Sequence, residues 1–303
     1  MFLKRFVTLV VVAVIAGVVL PGPPRRAGAW SPGPARYGIG VTENVPVTMA
    51  DGVVLRADVH FPTNADGSPA AGPFPVILTQ TPYGKTAGSY SRTAGGGVNR
   101  YLVTRGYLHV VADVRGTGGS EGTFGLFDPI QAQDGATLVR WAAALPHSNG
   151  KVGLLGLSYL GINQLFTAAA VGPDSPLKTI FPIVAANDPY RDTAFQGGLI
   201  NSEFGIPYLG YTAALNLGNP VIEHRREPAA LPGTLTDHAA GVASFQAASL
   251  TSIAAGGDLA YDGAYWQDRN PGRVLDRIVA NGISVFLVGG WRDLFQRGAP
   301  LNY

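Results

Sequence analysis

The sequence predicts a mostly parallel α/β sheet with helices on both faces, interrupted by a helical insertion. Three observations predict it. Short apolar runs at residues 76–79, 107–113, 151–157, 179–184 and 283–290 alternate with segments of helical character, as in βαβ units. The runs are almost continuously apolar, which strands covered on both faces require. Between residues 188 and 270 the strand pattern stops, and aromatic residues are scattered through Ala- and Gly-rich sequence of helical character.

The 303 residues suffice for a sizeable core in one large or two medium domains. Lys+Arg 22 against Asp+Glu 20 leaves no basic stripe or acidic tail, so nucleic acid is not an expected partner. The absence of cysteine excludes disulfides, thiol nucleophiles and thiolate metal sites. No metal or organic cofactor is implied, and the oligomeric state is not readable.

The elements follow in order. Lys4 and Arg5 precede an uncharged run over residues 6–20, then Pro21-Gly22-Pro23-Pro24 and Ala27-Gly28-Ala29. That is the order of a secretory signal peptide, and the run is short for a bilayer span of about 20 residues. Residues 1–29 are therefore read as a signal peptide and the mature protein as secreted, with membrane contact only if the segment stays uncleaved. Residues 30–187 are read as the first part of the core, 188–270 as a helical cap and 271–303 as an incomplete second part.

Residues 31–44 read as an unstructured entry. Asp51-Gly52 is a hairpin signal flanked by alternating residues, with Val53, Leu55, Ala57, Val59 and Phe61 on one face. Arg56, Asp58 and His60 share the other face, which places His60 on the exposed side. A buried strand at 76–79 leads into Thr81-Pro82-Tyr83, and a second at 107–113 leads into a glycine run at 116–122. Glu121 stands where the last glycine of a dinucleotide loop would be, and no helix follows at once, which argues against nucleotide binding. Asp128-Pro129 opens a helix with an N-cap and a proline at its first position, running to about residue 145. After the insertion, residues 274–278 read as helix, Asn281-Gly282 as a turn and 283–290 as a buried strand.

Ser158 carries the chemistry. An apolar strand runs through Gly156 to Ser158 and on to Gly161, after which an Ala-rich helix begins. A nucleophile elbow needs that layout, with small neighbours leaving room for a strained turn and a helix N-terminus facing an oxyanion. The usual spacing is G-x-S-x-G, and here the second glycine comes one place late. The competing reading is a helix N-cap serine. In an open α/β sheet chemistry gathers at the carboxyl ends of strands, and Tyr83, Ser158 and Asp293 lie at three such ends. From the residues alone, Tyr83 reads as a core aromatic and Asp293 as either a triad acid or a loop-capping carboxylate.

The hairpin at Met49-Ala50-Asp51-Gly52, the Thr81-Pro82-Tyr83 loop and Asp113-Val114-Arg115-Gly116 with Ser120-Glu121-Gly122 form a set with two later motifs. These are Gly156-Leu157-Ser158-Tyr159-Leu160-Gly161 and Gly290-Trp291-Arg292-Asp293. The set resembles the cocaine esterase and X-Pro dipeptidyl-peptidase group of α/β-hydrolases, over roughly half the chain. In that group the second elbow glycine sits one place late, as it does here. The resemblance implies Ser158 as nucleophile, Asp293 as triad acid, and the Tyr159 amide and Tyr83 phenol as the oxyanion hole. Independently of the resemblance, an insertion of this size after the elbow suits a helical cap over an active site, the alternative being a packing subdomain with no substrate contact. The expected substrates are small-molecule esters, amides or short peptides.

The base is missing from this pattern. His60, His109, His147, His224 and His238 all precede Asp293, whereas in the group the histidine follows the acid and a jelly-roll domain follows it. The expectation is a fragment truncated before its histidine and inactive as given. The alternative is a secreted, non-catalytic α/β-hydrolase-like binding protein.

Overall fold

Seven strands form the sheet, in the order β1-β2-β4-β3-β5-β6-β9. The computed structural model describes residues 32–86 and 97–303, so the signal-peptide reading of residues 1–29 lies outside the described residues. Strands β1 (Gly38–Thr48), β2 (Val54–Thr63) and β4 (Leu108–Asp113) pair antiparallel. Strands β3 (Phe74–Thr81), β5 (Ser148–Leu157), β6 (Leu177–Ile183) and β9 (Ser284–Val285) continue the sheet in parallel from β4. The expected mostly parallel sheet is present, with the hairpin at its antiparallel end.

The hairpin turns where expected. Gly52 takes φ +88°, and its N–H donates to the Met49 carbonyl at 3.0 Å. The strand leading into it starts earlier than the sequence suggests, at Gly38 rather than after residue 44. The register slips between Thr42 and Val45, where Asn44 is left-handed at φ 58° and its N–H donates to Asp58 at 2.8 Å. A bulge of this kind breaks the two-residue period, so β1 does not alternate along its length.

His60, expected on an exposed face, is buried. It is 8% exposed, because β2 is flanked by β1 and β4 and helix α1 (Arg100–Val103) packs over it. It stands opposite His109, and burial pushes both imidazoles down, His60 to about 4 and His109 to about 3. The neutral His109 is fixed by its partners. Its Nδ1 accepts from the Asn99 N–H at 2.9 Å, so Nε2–H donates to Thr79 Oγ1 at 3.0 Å, and Thr79 donates to the Leu155 carbonyl at 2.8 Å. This polar chain crosses the core from β4 through β3 to β5, three residues before Ser158.

Helices α2 (Pro129–Ala143) and α3 (Tyr159–Ala170) pack against each other beside the sheet. Gly135 makes their approach close: a Cβ there would lie 2.2 Å from Thr167 Oγ1. Asp128 precedes α2 without a capping bond and pairs instead with Arg269.

Residues 190–254 are mainly helical, with α4 (Gly205–Glu223), α5 (Leu231–Gly241) and α6 (Ala248–Ala254) as the α-helical parts. A two-residue hairpin, β7 (Phe195–Gln196) with β8 (Leu199–Ile200), departs from the expected absence of strands. Gly197 and Gly198, both at positive φ, make its turn. Among the described residues no helix is long and apolar enough to cross a membrane.

The run at 283–290, expected as a buried strand, is an edge. Only Ser284–Val285 joins β6 in the ladder, with Val288 bridging to Ile183 farther on. Val285 and Phe286 are 42% and 60% exposed, because β9 has a neighbour on one side only among the described residues.

Candidate active site

Strand β5 ends at Leu157, helix α3 starts at Tyr159, and Ser158 between them has φ 60° and ψ −125°. Ser158 occupies the N-cap position yet makes no side-chain capping bond, so the capping interpretation lacks its defining contact. A left-handed serine costs about 1–3 kcal/mol unless its surroundings hold it. Here the Ser158 N–H donates to the Ile183 carbonyl at 2.9 Å, and the Ser158 carbonyl accepts from Ile162 N–H at 2.9 Å.

The glycine spacing has a steric reason. A Cβ at Gly161 would sit 2.8 Å from the Ile183 carbonyl oxygen and 3.1 Å from its nitrogen, because α3 presses on the backbone of β6 there. A Cβ at Gly156 would sit 2.4 Å from Leu160 Cβ. Position 160 can therefore hold leucine, buried at 2% exposure, as long as position 156 has no side chain. The close approach to β6 falls at 161, not at 160.

Two donors surround Ser158. The Tyr159 amide is at the first turn of α3, where an N–H has no acceptor within the helix. The Tyr159 ring is stacked 4.4 Å from Phe127, and its hydroxyl donates to Gln131 at 2.6 Å, which anchors that turn. The Tyr83 phenol lies beside the hydroxyls of Tyr208 and Ser158 in one groove, near enough for each to act on its acidity. Burial pushes the Tyr83 phenol above its usual range despite those two hydroxyls, which keeps it protonated and able to donate.

The motif residues before and after Tyr83 build its support. Asp113, at the end of β4, accepts from the Lys85 N–H at 2.6 Å and from the Gly119 N–H at 2.9 Å. Gly118 lets the chain close on that carboxylate, since a Cβ there would lie 2.1 Å from Asp113 Oδ2. The glycine run thus wraps a carboxylate. Arg115 ties the same turn outward, with Asp51 of the hairpin at 2.8 Å and Asp134 of α2 at 2.7 Å. Lys85 is buried with Asp58 at 3.6 Å, Asp113 at 3.7 Å, and a direct contact to Glu223 at the end of α4. Burial, with Glu223 adding to it and Lys85 opposing it, raises Asp113 to about 8.

Ser158 opens on two spaces. One is an apolar cavity of about 100 Å³, walled by Phe127, Phe195, Phe245, Trp266 and Phe295 among others. The Thr193 hydroxyl, also on this wall, is buried without a hydrogen-bond partner. The other is a groove of about 420 Å³ that holds Tyr83, Ser158, Glu203, Tyr208 and Tyr211. Most of the cavity wall and most of the groove come from residues 188–270.

Asp293 follows β9 in a loop whose Phe295 reaches the cavity. Its carboxylate accepts from the Gly290 N–H at 2.5 Å and the Phe295 N–H at 2.6 Å, so it does cap its own loop. None of the five histidines lines either space. Among the acidic residues of the insertion, Asp188 pairs with Arg191, Asp192 with Arg297 and Glu223 with Lys85, and Asp237 accepts from the Gly122 N–H. Glu203 is the one that borders Ser158. Nothing in the residue pattern separates Glu203 from the other acidic residues or singles out Thr193 or Tyr208. Among the described residues no cluster of three His, Asp or Glu is placed to hold a metal.

The strand order, the parallel crossovers and a strained serine between β5 and α3 define an α/β-hydrolase. Residues 51–303 match the family model described as X-Pro dipeptidyl-peptidase (S15 family), and the chain belongs to that family. It is 35% identical over 182 residues to cocaine esterase from Rhodococcus sp. (strain MB1 Bresler), covering 59% of this chain and 29% of that protein. A CocE/NonD family hydrolase from Staphylococcus aureus superposes with TM-score 0.53 at 27% identity, covering 62% of this chain and 36% of that one. An aminopeptidase from the marine sediment archaeon Thaumarchaeota archaeon shares the fold, with TM-score 0.65 at 23% identity over 88% of this chain and 45% of that one. The chain thus spans about three tenths of the length of the curated relatives it matches.

Proposed function

We propose that this chain carries the nucleophile and oxyanion site of a serine hydrolase acting on small esters or amides. One observation supports this above the rest: a serine held left-handed at a strand end, beside a protonated phenol, at the mouth of an apolar cavity. In the reaction Ser158 Oγ attacks the carbonyl carbon and its proton passes to a general base. The tetrahedral oxyanion accepts from the Tyr159 N–H and the Tyr83 O–H. Collapse expels the alcohol or amine, which takes the proton from the base, and water then hydrolyses the acyl-enzyme. The base of this reading is a histidine oriented by Asp293, as the family resemblance implies; none of His60, His109, His147, His224 and His238 lines the spaces beside Ser158. Residues 188–270 act as the cap that shapes the pocket, and residues 1–29 support export.

A second reading concerns the substrate, and Glu203 favours it. A carboxylate in the groove beside Ser158 suits a substrate bearing a free amine, whereas the apolar cavity alone suits a plain ester. The test compares an aryl ester, an α-amino ester and an X-Pro anilide on the complete gene product and on its Glu203→Gln variant. With an amine-bearing substrate, E203Q raises KM by about two- to fivefold, the worth of one exposed ion pair of about 0.5–1 kcal/mol, and leaves the aryl ester unchanged. Equal effects on both substrates would remove Glu203 from specificity.

A further inference from the structure

Helix α4 has an inverted character. Of its five buried positions four are polar, Thr212, Asn216, Asn219 and Glu223 at 0%, 1%, 5% and 3% exposure, and the fifth is Pro220. Its exposed positions include Ile206, Tyr211, Leu217, Val221 and Ile222. A helix seated by the hydrophobic effect would turn the other way. Leu209 packs on the core, Thr212 bonds within its own helix and the Asn216 side chain has no partner, whereas Asn219 and Glu223 both bond to one short segment, Tyr83–Thr86.

The contacts are spread along the helix. Asn219 Nδ2 donates to the Tyr83 carbonyl at 3.0 Å. Glu223 accepts from the Thr86 N–H at 3.0 Å and the Thr86 hydroxyl at 2.6 Å, and also takes the Lys85 ammonium. Three turns toward the start of the helix, the Tyr208 phenol meets the Tyr83 phenol. Positions 208, 219 and 223 lie on one face at 3.6 residues per turn. The segment's other supports are Thr81, which accepts from the Tyr83 N–H at 3.1 Å, and Asp113, which accepts from Lys85 N–H. Both come from the sheet and hold backbone; the Tyr83 side chain is flanked from outside the core by Tyr208 and by the Tyr211 ring at 6.1 Å, both on α4.

We propose that α4 is the positioning element of the oxyanion site, with Asn219 and Glu223 fixing the Tyr83 segment and Tyr208 orienting the Tyr83 hydroxyl. This rests on the reading of Tyr83 as an oxyanion donor. Seating of the insertion and assembly of the oxyanion hole are then one event. Asn219, Glu223 and Tyr208 are positioning residues, since each acts through Tyr83. Misplacing a reacting group by about 1 Å costs up to about a hundredfold in rate, so loosening this seat lowers kcat far more than it raises KM.

The experiment is a set of double-mutant cycles on the complete gene product, with kcat and KM read for one aryl ester. Asn219→Ala, Glu223→Gln and Tyr208→Phe are each measured alone and combined with Tyr83→Phe. Asn219→Ala and Tyr208→Phe leave the buried charge cluster intact, so they report even if E223Q fails to fold. Each single variant is expected to lower kcat by about tenfold or more with KM within about twofold. In the Y83F background that loss is expected to vanish, because the positioned group is gone. Losses that persist undiminished in Y83F overturn the proposal while leaving Tyr83 as an oxyanion donor. If Y83F alone retains kcat, the donor role falls and this proposal falls with it.

Discussion

Ser158→Ala in the complete gene product is expected to lower kcat by at least about 10⁴-fold while the protein remains folded. The side chain is half-buried and makes no capping bond, so its loss removes little from the fold. Alanine inherits the left-handed backbone at φ 60°, which the Ile183 and Ile162 hydrogen bonds continue to impose. The effect thus falls on chemistry and not on stability. Steady-state hydrolysis of an aryl ester together with a thermal melt checks both halves. A variant that keeps more than about a tenth of wild-type kcat would remove Ser158 from the reaction.

Lys85→Met is expected to act the opposite way, on stability first. The ammonium is fully buried among Glu223, Asp58 and Asp113, and methionine fills its stem but leaves the carboxylates without a cation. Breaking a buried cluster from one side costs about 3–5 kcal/mol, much of a domain's net stability. The loss depends on pH, and its sign follows from Asp113. Burial and Glu223 raise its folded pKa to about 8 from 3.8, against the pull of Lys85. Between those values the folded state holds a proton the unfolded chain has released, so this group's contribution to stability falls as pH rises through the window. Without Lys85 the folded pKa rises further, so the wild type stops losing stability near pH 8 while the variant goes on losing it, and the variant's deficit widens from pH 8 toward about pH 9.5. Urea unfolding at the two pH values measures it. A deficit below about 1 kcal/mol at pH 8 would mean that the cluster does not hold the Tyr83 segment.

The sheet was legible where strands are buried on both faces, because β3, β4, β5 and β6 need continuous apolar runs and have them. It was not legible where the period breaks or the neighbours are missing. The bulge at Asn44 concealed the first half of β1, and the single-sided pairing of β9 left an apolar run exposed. His60 was misplaced because alternation identifies two faces but not whether a later segment covers the second one. Ser158 was legible since glycines are demanded on either side of it by contacts within a few residues or across one strand pair. Tyr208, Asn219 and Glu203 were not. All three sit more than a hundred residues from Tyr83; Tyr208 and Asn219 lie in a helix whose buried positions are mostly polar, so amphipathic reasoning points its apolar face inward, and Glu203 lies in the turn before it.

One measurement bears most directly on the central claim: treating the complete gene product with a fluorophosphonate and locating the adduct by peptide mass spectrometry. A serine in a formed elbow attacks phosphorus as it would a carbonyl, and the phosphonyl oxygen takes the place of the oxyanion. The account predicts a single stoichiometric adduct on Ser158, greatly slowed by Tyr83→Phe. Folded protein that takes no label, or takes it on another residue, would contradict the account and favour a binding protein built on the same fold.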